Sequence, residues 1–276
     1  VVHMEYLMLI LIGLFAAAVG SLVGIGGGVI IVPLLVFFGI DNDIISNVTP
    51  QSAVGTSSVV LIFIGLTAMM SYGRSNQLDR KNGMLFLFGI IPGALAGSYL
   101  SDVFTTESFK LYFGLFLIFL SVLLMVRDRI KPLNIFQDER YVRPHVDHMG
   151  NVYHYGFPPY IAVIASFIAG LTAGLFGIGG GAIMTPMMLM LFRMPASIAI
   201  GTSMLIVFFG ALSSGAGHLL QNNVNFLHAA FLVPSAFVGA KIGVYLNQKF
   251  NSDTVIIALR TVLLLLGLYM IIQSFL

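Results

Sequence analysis

The stretch LVGIGGGVIIVPLL, residues 22–35, places four glycines among five residues inside an otherwise apolar run. A closely similar stretch, LFGIGGGAIMTPMML, follows at residues 175–189. Glycine in the interior of a helix costs about 1 kcal/mol relative to alanine, so four of them should interrupt a helix. Each stretch therefore predicts a break in an apolar helix, and its repetition indicates that the break has a purpose.

The composition is that of a polytopic membrane protein. Of the 276 residues, 58% are hydrophobic and 9% are charged, whereas a soluble domain carries about 25% charged residues. Runs of about 20 apolar residues match the hydrocarbon thickness of a bilayer, so we expect the chain to lie in a lipid bilayer. The net charge of +2 is too small to indicate a nucleic acid as a partner. The absence of cysteine excludes disulfides and thiol chemistry.

Ten apolar segments, separated by polar residues, divide into two groups of five. Residues 127–156 between the groups are charged and contain proline, which is typical of an extramembrane connection. We therefore predict a first transmembrane repeat at 1–126, a connecting loop at 127–157 and a second transmembrane repeat at 158–276. The predicted segments are 5–23, 27–39, 52–71, 83–101 and 109–126, then 158–176, 181–192, 197–217, 226–246 and 254–275.

The two halves share motifs in the same order. Residues 24–33 and 177–186 both fit the pattern G-I-G-G-G-x-I-x-x-P. Further along, GTSS at Gly55 recurs as GTSM at Gly201. An ordered series of shared motifs is the signature of an internal duplication. We therefore predict an all-α polytopic membrane protein built from two repeats of about five helical segments each.

The basic residues predict how the two repeats are oriented. If the loop at 74–81 and the connecting loop are cytoplasmic, ten of the thirteen lysines and arginines lie inside. Each half then makes an odd number of crossings, so the halves have opposite orientations and both termini lie outside. Such an inverted repeat is common among secondary transporters. The alternative is a parallel repeat with residues 5–39 as one broken crossing, which needs about 52 Å of helix for a core of about 30 Å.

The apolar segment that follows each glycine cluster is too short to span a bilayer. About 13 helical residues rise only about 20 Å, so we predict a re-entrant helical hairpin with its tip at the glycines. A helix that begins at Gly28 directs unpaired N–H groups and its positive dipole end toward the break, which suits an anion. The second cluster supplies another helix start from the opposite direction, and we expect the two to converge near the midplane.

The predicted substrate-binding residues are the glycines of both clusters and the hydroxyls that follow Gly55 and Gly201. They are Gly24, Gly26, Gly27, Gly28, Thr56, Ser57, Ser58, Gly177, Gly179, Gly180, Gly181, Thr202 and Ser203. Two alternatives stay open: the glycines allow close helix packing, and the hydroxyls bond to their own helices. His218 and Lys241 are candidates for proton or charge coupling, with an interfacial position as the alternative for each.

No catalytic centre, cofactor or metal site is predicted. All eleven carboxylates lie in loops or near segment ends, which argues against a carboxylate proton relay or sodium site. His145, Asp147, His148 and His154 have the residue types of metal ligands, but they lie in a polar connection with no fixed arrangement expected. We therefore expect no metal there.

As a set, the motifs resemble the sulfite exporter TauE/SafE family of membrane permeases. The resemblance rests on both glycine stretches, on GTSS and GTSM, and on SGAGHLLQNNVNF and VPSAFVGAKIGVYLNQKF, residues 214–226 and 233–250. It implies export of small sulfur anions such as sulfite, sulfoacetate or other organosulfonates across a bacterial or archaeal inner membrane. It also implies that the matching glycines and hydroxyls bind the substrate, and that Lys241 lies where members often have a basic residue.

Two other function classes stay as alternatives to an alternating-access transporter. One is an anion channel, and the other is a membrane enzyme or assembly factor that handles a sulfur or lipid intermediate. The membrane segments contain no cysteine, carboxylate pair or histidine cluster of the kind that a catalytic centre needs. A transporter is therefore the leading interpretation, with a small anion as its substrate, and a homodimer is left open.

Overall fold

The computed structural model of the chain describes residues 2–127, 139–146, 150–249 and 253–275. Within these ranges the fold is all-α apart from one small pair of strands. The helices are α1 (Val2–Val23), α2 (Gly28–Leu35), α3 (Pro50–Arg74), α4 (Arg80–Ser101), α5 (Thr106–Arg127), α6 (Pro159–Phe176), α7 (Gly181–Met190), α8 (Ala196–Leu220), α9 (Phe226–Lys249) and α10 (Asp253–Gln273). A π-helix, Val36–Asp41, continues α2, and a short 3-10 turn, Glu139–Tyr141, precedes the antiparallel strands β1 (Arg143–Val146) and β2 (Val152–Tyr155).

Eight helices of the described ranges are long and apolar enough to cross a membrane, and α2 and α7 are the shorter ones. The long helices carry large apolar side chains on their outer surfaces. Phe88 and Phe15, for example, are 73% and 56% exposed. Such a surface suits lipid, where it meets hydrocarbon instead of water. The prediction of an all-α polytopic membrane protein is confirmed, and each helix lies within a few residues of a predicted segment.

Polar residues in the short loops determine where the long helices begin. The Thr49 hydroxyl accepts a hydrogen bond from the Ser52 N–H at 3.1 Å, and the Ser52 hydroxyl accepts one from the Thr49 N–H at 2.8 Å. This reciprocal capping fixes the start of α3. The carboxylate of Asp79 likewise accepts the N–H groups of Lys81 and Asn82 at the start of α4.

The helices α1 and α2 form a hairpin. The N–H groups of Gly24, Ile25 and Gly26 all donate to the carbonyl of Gly20, so the chain reverses direction directly after α1. The π-helix then brings the chain back to the level of Glu5, whose carboxylate accepts the N–H and hydroxyl of Ser46. A parallel repeat with one broken crossing over residues 5–39 does not fit this reversal, and the predicted re-entrant hairpin does.

The helices α6 and α7 form a second hairpin, inserted from the opposite end of the helical bundle. Phe157, just before α6, packs against Phe192, just after α7, with ring centroids 4.2 Å apart. The second hairpin therefore begins and ends at one level. The strands β1 and β2 lie at that level too, because the Asn76 side chain in the α3–α4 loop donates to the carbonyl of Val146 at 2.8 Å.

The two ends of the bundle can be named by what they carry. The terminal face is the end with Glu5 at the start of α1 and with Asp41, whose carboxylate accepts the hydroxyl of Tyr269 on α10 at 3.0 Å. The hairpin face is the opposite end, with the α3–α4 loop and the strands β1 and β2. Both described chain ends therefore lie toward the terminal face. The cytoplasmic position of the hairpin face stays a prediction.

The helix pairs that pack together are the same when each helix is replaced by its counterpart in the other half. In one pair α1 packs against α9, and in the matching pair α6 packs against α4. The pairs α3 with α8 and α5 with α10 join corresponding helices of the two halves. This pattern indicates an approximate two-fold relation between the halves. Because the two hairpins enter from opposite ends of the bundle, the relation is that of the inverted repeat that the sequence predicts.

Candidate functional site

The two glycine clusters meet in the middle of the bundle. A Cβ atom on Gly28 would lie 2.3 Å from the carbonyl oxygen of Gly177, and one on Gly181 would lie 3.2 Å from that of Gly24. Leu61 of α3, which is close to Gly26 and Gly28, lies near the middle of its helix. The helices α2 and α7 thus begin next to each other at mid-depth and run to opposite faces, which is the convergence that the sequence predicts.

The backbone of both breaks requires glycine at most positions. Five glycines have φ between +66° and +82°, a region that costs an L-residue about 1–2 kcal/mol. The remaining positions are restricted by space, because a Cβ on Gly20 would lie 1.8 Å from the carbonyl oxygen of Gly26. Close packing therefore explains Gly20 and Gly28, and backbone conformation explains the clustering. The five are Gly24, Gly26, Gly177, Gly179 and Gly180.

The first amides of α2 and α7 have no partner within the described ranges. No hydrogen bond there has the N–H of Gly27, Gly28 or Val29 as its donor, and the same is true of residues 178–183. The residues preceding the two helices, Gly27 and Gly180, provide no side-chain cap. Because the positive ends of both helix dipoles coincide with these amides, the arrangement suits an anion that accepts hydrogen bonds from both.

The serines predicted to bind substrate hold the breaks in place. The hydroxyl of Ser57 on α3 donates to the carbonyl of Gly177 at 2.8 Å. Its counterpart in the second half, Ser203 on α8, donates to the carbonyl of Gly24 at 2.6 Å. Each serine therefore links one half to the glycine break of the other half. The alternative from the sequence, bonding within the same helix, applies to Ser203 in addition, through the carbonyl of Ile200 at 2.7 Å.

The threonines make a second pair of links. Thr56 accepts the N–H of Asn225 at 3.0 Å, and Thr202 accepts the N–H of Asp79 at 3.0 Å. Both N–H groups belong to residues whose side chains cap the next long helix, α9 and α4 respectively. Ser58 has no hydroxyl counterpart in the second half, because the matching residue is Met204. The Ser58 hydroxyl bonds to that of Ser214 on α8 at 2.9 Å.

Sequence reasoning missed three residues of this arrangement. Asn225 and Asp79 occupy matching positions in the two repeats, so aligning the halves through GTSS and GTSM would have paired them. Thr185 on α7 donates to the carbonyl of Gly24, which therefore accepts two hydroxyls. The matching position in the first half is Val32, so no repeated pattern could have indicated Thr185.

The two coupling candidates lie apart from the glycine breaks. His218, near the terminal-face end of α8, is buried, with Nε2 at 2.9 Å from the carbonyl of Gly174. The corresponding residue of the first half, Tyr72, donates to the carbonyl of Ser21 at 2.7 Å, so the two contacts match. Lys241 is exposed on α9, with Nζ 4.3 Å from the ring centroid of Phe237. The structure does not bring Lys241 to the site.

The histidines of the connecting loop do not form a metal site in the described part of the chain. His145 is paired with Tyr153 and His154 with Pro144, so the two imidazoles lie on opposite faces of the strand pair. Within the described ranges, no group of three histidine or carboxylate side chains is close enough to hold a metal ion. Asp147 and His148 lie outside the described residues.

Comparison with known proteins shows one matching family and several similar membrane proteins. The family described as "Sulfite exporter TauE/SafE" matches residues 9–270. "Probable membrane transporter protein YunE" of Bacillus subtilis is 38% identical over 98% of this chain and 99% of that protein. A probable membrane transporter of Methanocaldococcus jannaschii is 24% identical over 96% of this chain and 94% of its own. "Sulfite exporter TauE/SafE family protein 6" of Arabidopsis thaliana is 36% identical over 31% of this chain and 20% of its own.

Proposed function

This chain belongs to the sulfite exporter TauE/SafE family, and we propose that it exports small sulfur-containing anions across the plasma membrane by alternating access. Membership makes it a membrane transporter of the TauE/SafE type and indicates a permease instead of an enzyme. Sulfite, sulfoacetate and other organosulfonates are the proposed substrates. The first of these follows from the name of the family, and the others follow from their shared anionic sulfur–oxygen group.

The observation that carries the proposal is the meeting of two helix starts at mid-depth. The N–H groups of Gly27–Val29 and of residues 181–183 have no backbone acceptor among the described residues, and the two helix starts that carry them lie next to each other. A sulfonate or sulfite group has several acceptor oxygens, so one such group suits donors from both helices. No carboxylate is needed, because the backbone and the dipoles supply the positive potential.

The inverted repeat suggests how the site could open to one face and then to the other. In the described conformation residues 20–33 and 177–186 are buried, so both breaks are closed to the two faces. The links from Ser57 to Gly177 and from Ser203 to Gly24 are equivalent by the two-fold relation. We expect one link to loosen when the site opens to the hairpin face and the other when it opens to the terminal face. One fold then reaches both open states, as alternating access requires.

Flux through proteoliposomes tests the substrate assignment. Purified protein should carry labelled sulfite or sulfoacetate into vesicles preloaded with the same unlabelled anion, with saturation and counterflow. Counterflow separates a carrier from an anion channel, which would show a unitary conductance instead. An absence of flux and of binding across a panel of sulfite, sulfoacetate and related sulfonates would refute the proposed substrates while leaving the family membership intact.

Alanine at Gly27 tests the role of the helix starts. Gly27 has φ of −104°, which alanine adopts without strain, and its Cβ would lie 3.0 Å from the carbonyl oxygen of Ala16. The break must shift by a few tenths of an ångström, which displaces the amides of Gly28 and Val29. We expect flux to fall several-fold with the amount of membrane-inserted protein unchanged.

The matched control for Gly27→Ala is Gly83→Ala on α4. A Cβ on Gly83 would lie 3.4 Å from Leu205, an ordinary contact, so this variant should transport like the unaltered protein. Gly180→Ala is the less informative partner, because its φ of +79° makes alanine strained there in any case. Unchanged flux in Gly27→Ala would indicate that the glycines serve close packing only.

A further inference from the structure

A small polar cleft lies on the hairpin face, apart from the glycine breaks. It has a volume of about 280 Å³ and lies between the strand pair and the start of α4. Arg143 is paired with Tyr155 across the strands, and His145 lies two residues further along β1. Because side chains alternate along a strand, these three point to one face, and that face is the wall of the cleft. Lys81, in the first turn of α4, contributes to the opposite wall.

The carboxylate of Asp79 in the wall of the cleft already has its partners. It accepts the N–H groups of Lys81 and Asn82 at 3.1 Å, the Asn82 side-chain amide at 2.6 Å and the Tyr155 hydroxyl at 2.7 Å. Burial, together with the negative charge of Asp79, raises the pKa of Tyr155, so the phenol stays protonated and keeps donating. Four donors therefore occupy the oxygens of Asp79. The carboxylate keeps its single negative charge, which the two basic residues of the cleft outnumber.

The other groups of the cleft are cationic or lack a partner. Two basic residues, Lys81 of α4 and Arg143 of β1, line the cleft from the two elements that enclose it. The Nε2 atom of His145 is buried and has no hydrogen-bond partner among the described residues. A buried polar atom without a partner is costly, so its presence in a cleft that two basic residues line favours a ligand there.

We propose that this cleft binds a small oxyanion of the sulfate, sulfite or phosphate class through Lys81, Arg143 and His145. A tetrahedral or pyramidal oxyanion accepts charge-assisted hydrogen bonds from the guanidinium and the ammonium, and it gives the imidazole Nε2 an acceptor. The bound anion joins the strand pair to α4. It lies beside the hydrogen bond from Tyr155 to Asp79, whose N–H donates to Thr202 on α8. The site is thus connected to a helix that holds a glycine break, and it is independent of which anion is transported.

A single tryptophan reports on this cleft. The chain contains no tryptophan, so Tyr153→Trp, at the position paired with His145, places the only indole beside the site. Sulfate, sulfite and inorganic phosphate are titrated separately into the full-length variant, with chloride holding the ionic strength constant. We expect a saturable change in fluorescence. Lys81→Gln and Arg143→Gln, each in the same background, should weaken the apparent affinity about tenfold, since each removes one charge-assisted hydrogen bond.

Arg80→Gln is the matched control. It removes the same charge from the adjacent residue, but Arg80 lines a separate groove together with Arg74 and Met84. This variant should titrate like its parent. Isothermal titration of the unaltered protein with sulfate, compared with the Lys81→Gln/Arg143→Gln double variant, repeats the test without the tryptophan. The proposal fails if none of the three anions gives a saturable signal by either method, or if Arg80→Gln weakens binding as much as Lys81→Gln does.

Discussion

Gly20 and Gly73 show how differently two helix glycines act at the scale of single residues. Gly20, inside α1, faces the returning chain, and its Cβ would lie 1.8 Å from the carbonyl oxygen of Gly26. Gly73, in the last turn of α3, faces open space, because a Cβ placed there would meet no other atom within 4 Å. The backbone carbonyl of Gly26 cannot move away as a flexible side chain could. The space around each glycine therefore decides whether a methyl group is tolerated.

We predict that Gly20→Ala destabilises the protein by about 1–3 kcal/mol, because overpacking forces the backbone of the hairpin apart. Gly73→Ala should be neutral or stabilise the helix by up to about 1 kcal/mol, since alanine lowers the entropy of the unfolded chain. Thermal unfolding of the detergent-solubilised variants, followed by circular dichroism, measures both. Equal midpoints for the two variants would contradict the close approach of Gly20 and Gly26.

The sequence predicts that the two glycine clusters come together, but it does not contain the hydrogen-bond partners of the hydroxyls around them. GIGGG occurs twice, and that repetition indicated two helix breaks whose glycines the structure places together. Substrate binding by the hydroxyls of Ser57 and Ser203 stays a prediction, and in this conformation both donate to carbonyls of the opposite half. Their acceptors lie 120 and 179 residues away in the chain, so no local pattern contains them.

At the scale of elements, a buried ion pair fixes the end of the first hairpin. Asp41, the last residue of the π-helix, pairs with Lys110 on α5 and accepts the hydroxyl of Tyr269 on α10. The side chains of Lys110 and Asp41 are 9% and 5% exposed. The returning arm of the hairpin is thereby tied to two long helices at the terminal face.

We predict that Lys110→Met destabilises the protein by about 3–5 kcal/mol, because it leaves the carboxylate of Asp41 buried without its cation. The double variant Lys110→Met/Asp41→Asn should recover most of this loss. Lys249→Met is the control: Lys249 lies at the end of α9 against the Tyr245 ring, so its loss should cost less than about 1 kcal/mol. Chemical or thermal unfolding measures all three. A loss for Lys110→Met no larger than that for Lys249→Met would contradict a structural ion pair.

Helix positions were the most predictable elements, and the strands were not predicted. The apolar runs between polar loops predict the helix bounds, because a helix in lipid must be long, apolar and uninterrupted. The strands β1 and β2 are only four residues each, within a polar connection that lacks a clear period. Asn76 and Asp79 of the α3–α4 loop hold the strands in place. These contacts join residues far apart in the chain, so the local sequence does not predict them.

At the scale of the whole molecule, the inverted repeat followed from the order of the motifs together with the distribution of charge. Which face is cytoplasmic is a separate matter, and the positive-inside rule predicts the hairpin face. The chain has no cysteine, so single cysteines report orientation without background. Val103 between α4 and α5 is 79% exposed toward the terminal face, and Val142 before β1 is 39% exposed on the hairpin face.

We predict that Val103→Cys reacts with a membrane-impermeant maleimide in intact cells, and that Val142→Cys reacts only after the membrane is permeabilised. The hairpin face carries Arg74, Arg80, Lys81 and Arg143, and the cytoplasmic side of a membrane retains such residues. Denatured samples of both variants, labelled to completion, control for the amount of protein. The reverse pattern would place both termini in the cytoplasm and would contradict the predicted orientation.

The driving force for export follows from the same orientation. A membrane potential of about 100 mV, negative inside, favours the exit of each negative charge by about 2.3 kcal/mol, and of a dianion by about 4.6 kcal/mol. That energy corresponds to a concentration ratio above a thousandfold, so a carrier needs no coupled ion. No carboxylate of the described helices lies at the glycine breaks to relay a proton. Of the two coupling candidates, His218 is the buried one, held against the carbonyl of Gly174.

We therefore predict that the membrane potential alone drives the anion. In proteoliposomes a potassium diffusion potential of about 100 mV, imposed with valinomycin at equal pH on both sides, should move sulfoacetate away from the negative side. A pH gradient without a potential should produce little net movement. His218→Gln, whose amide can still donate to the Gly174 carbonyl, should respond to the potential like the unaltered protein. Movement that follows the pH gradient in the unaltered protein and is lost in His218→Gln would instead establish proton coupling through this histidine.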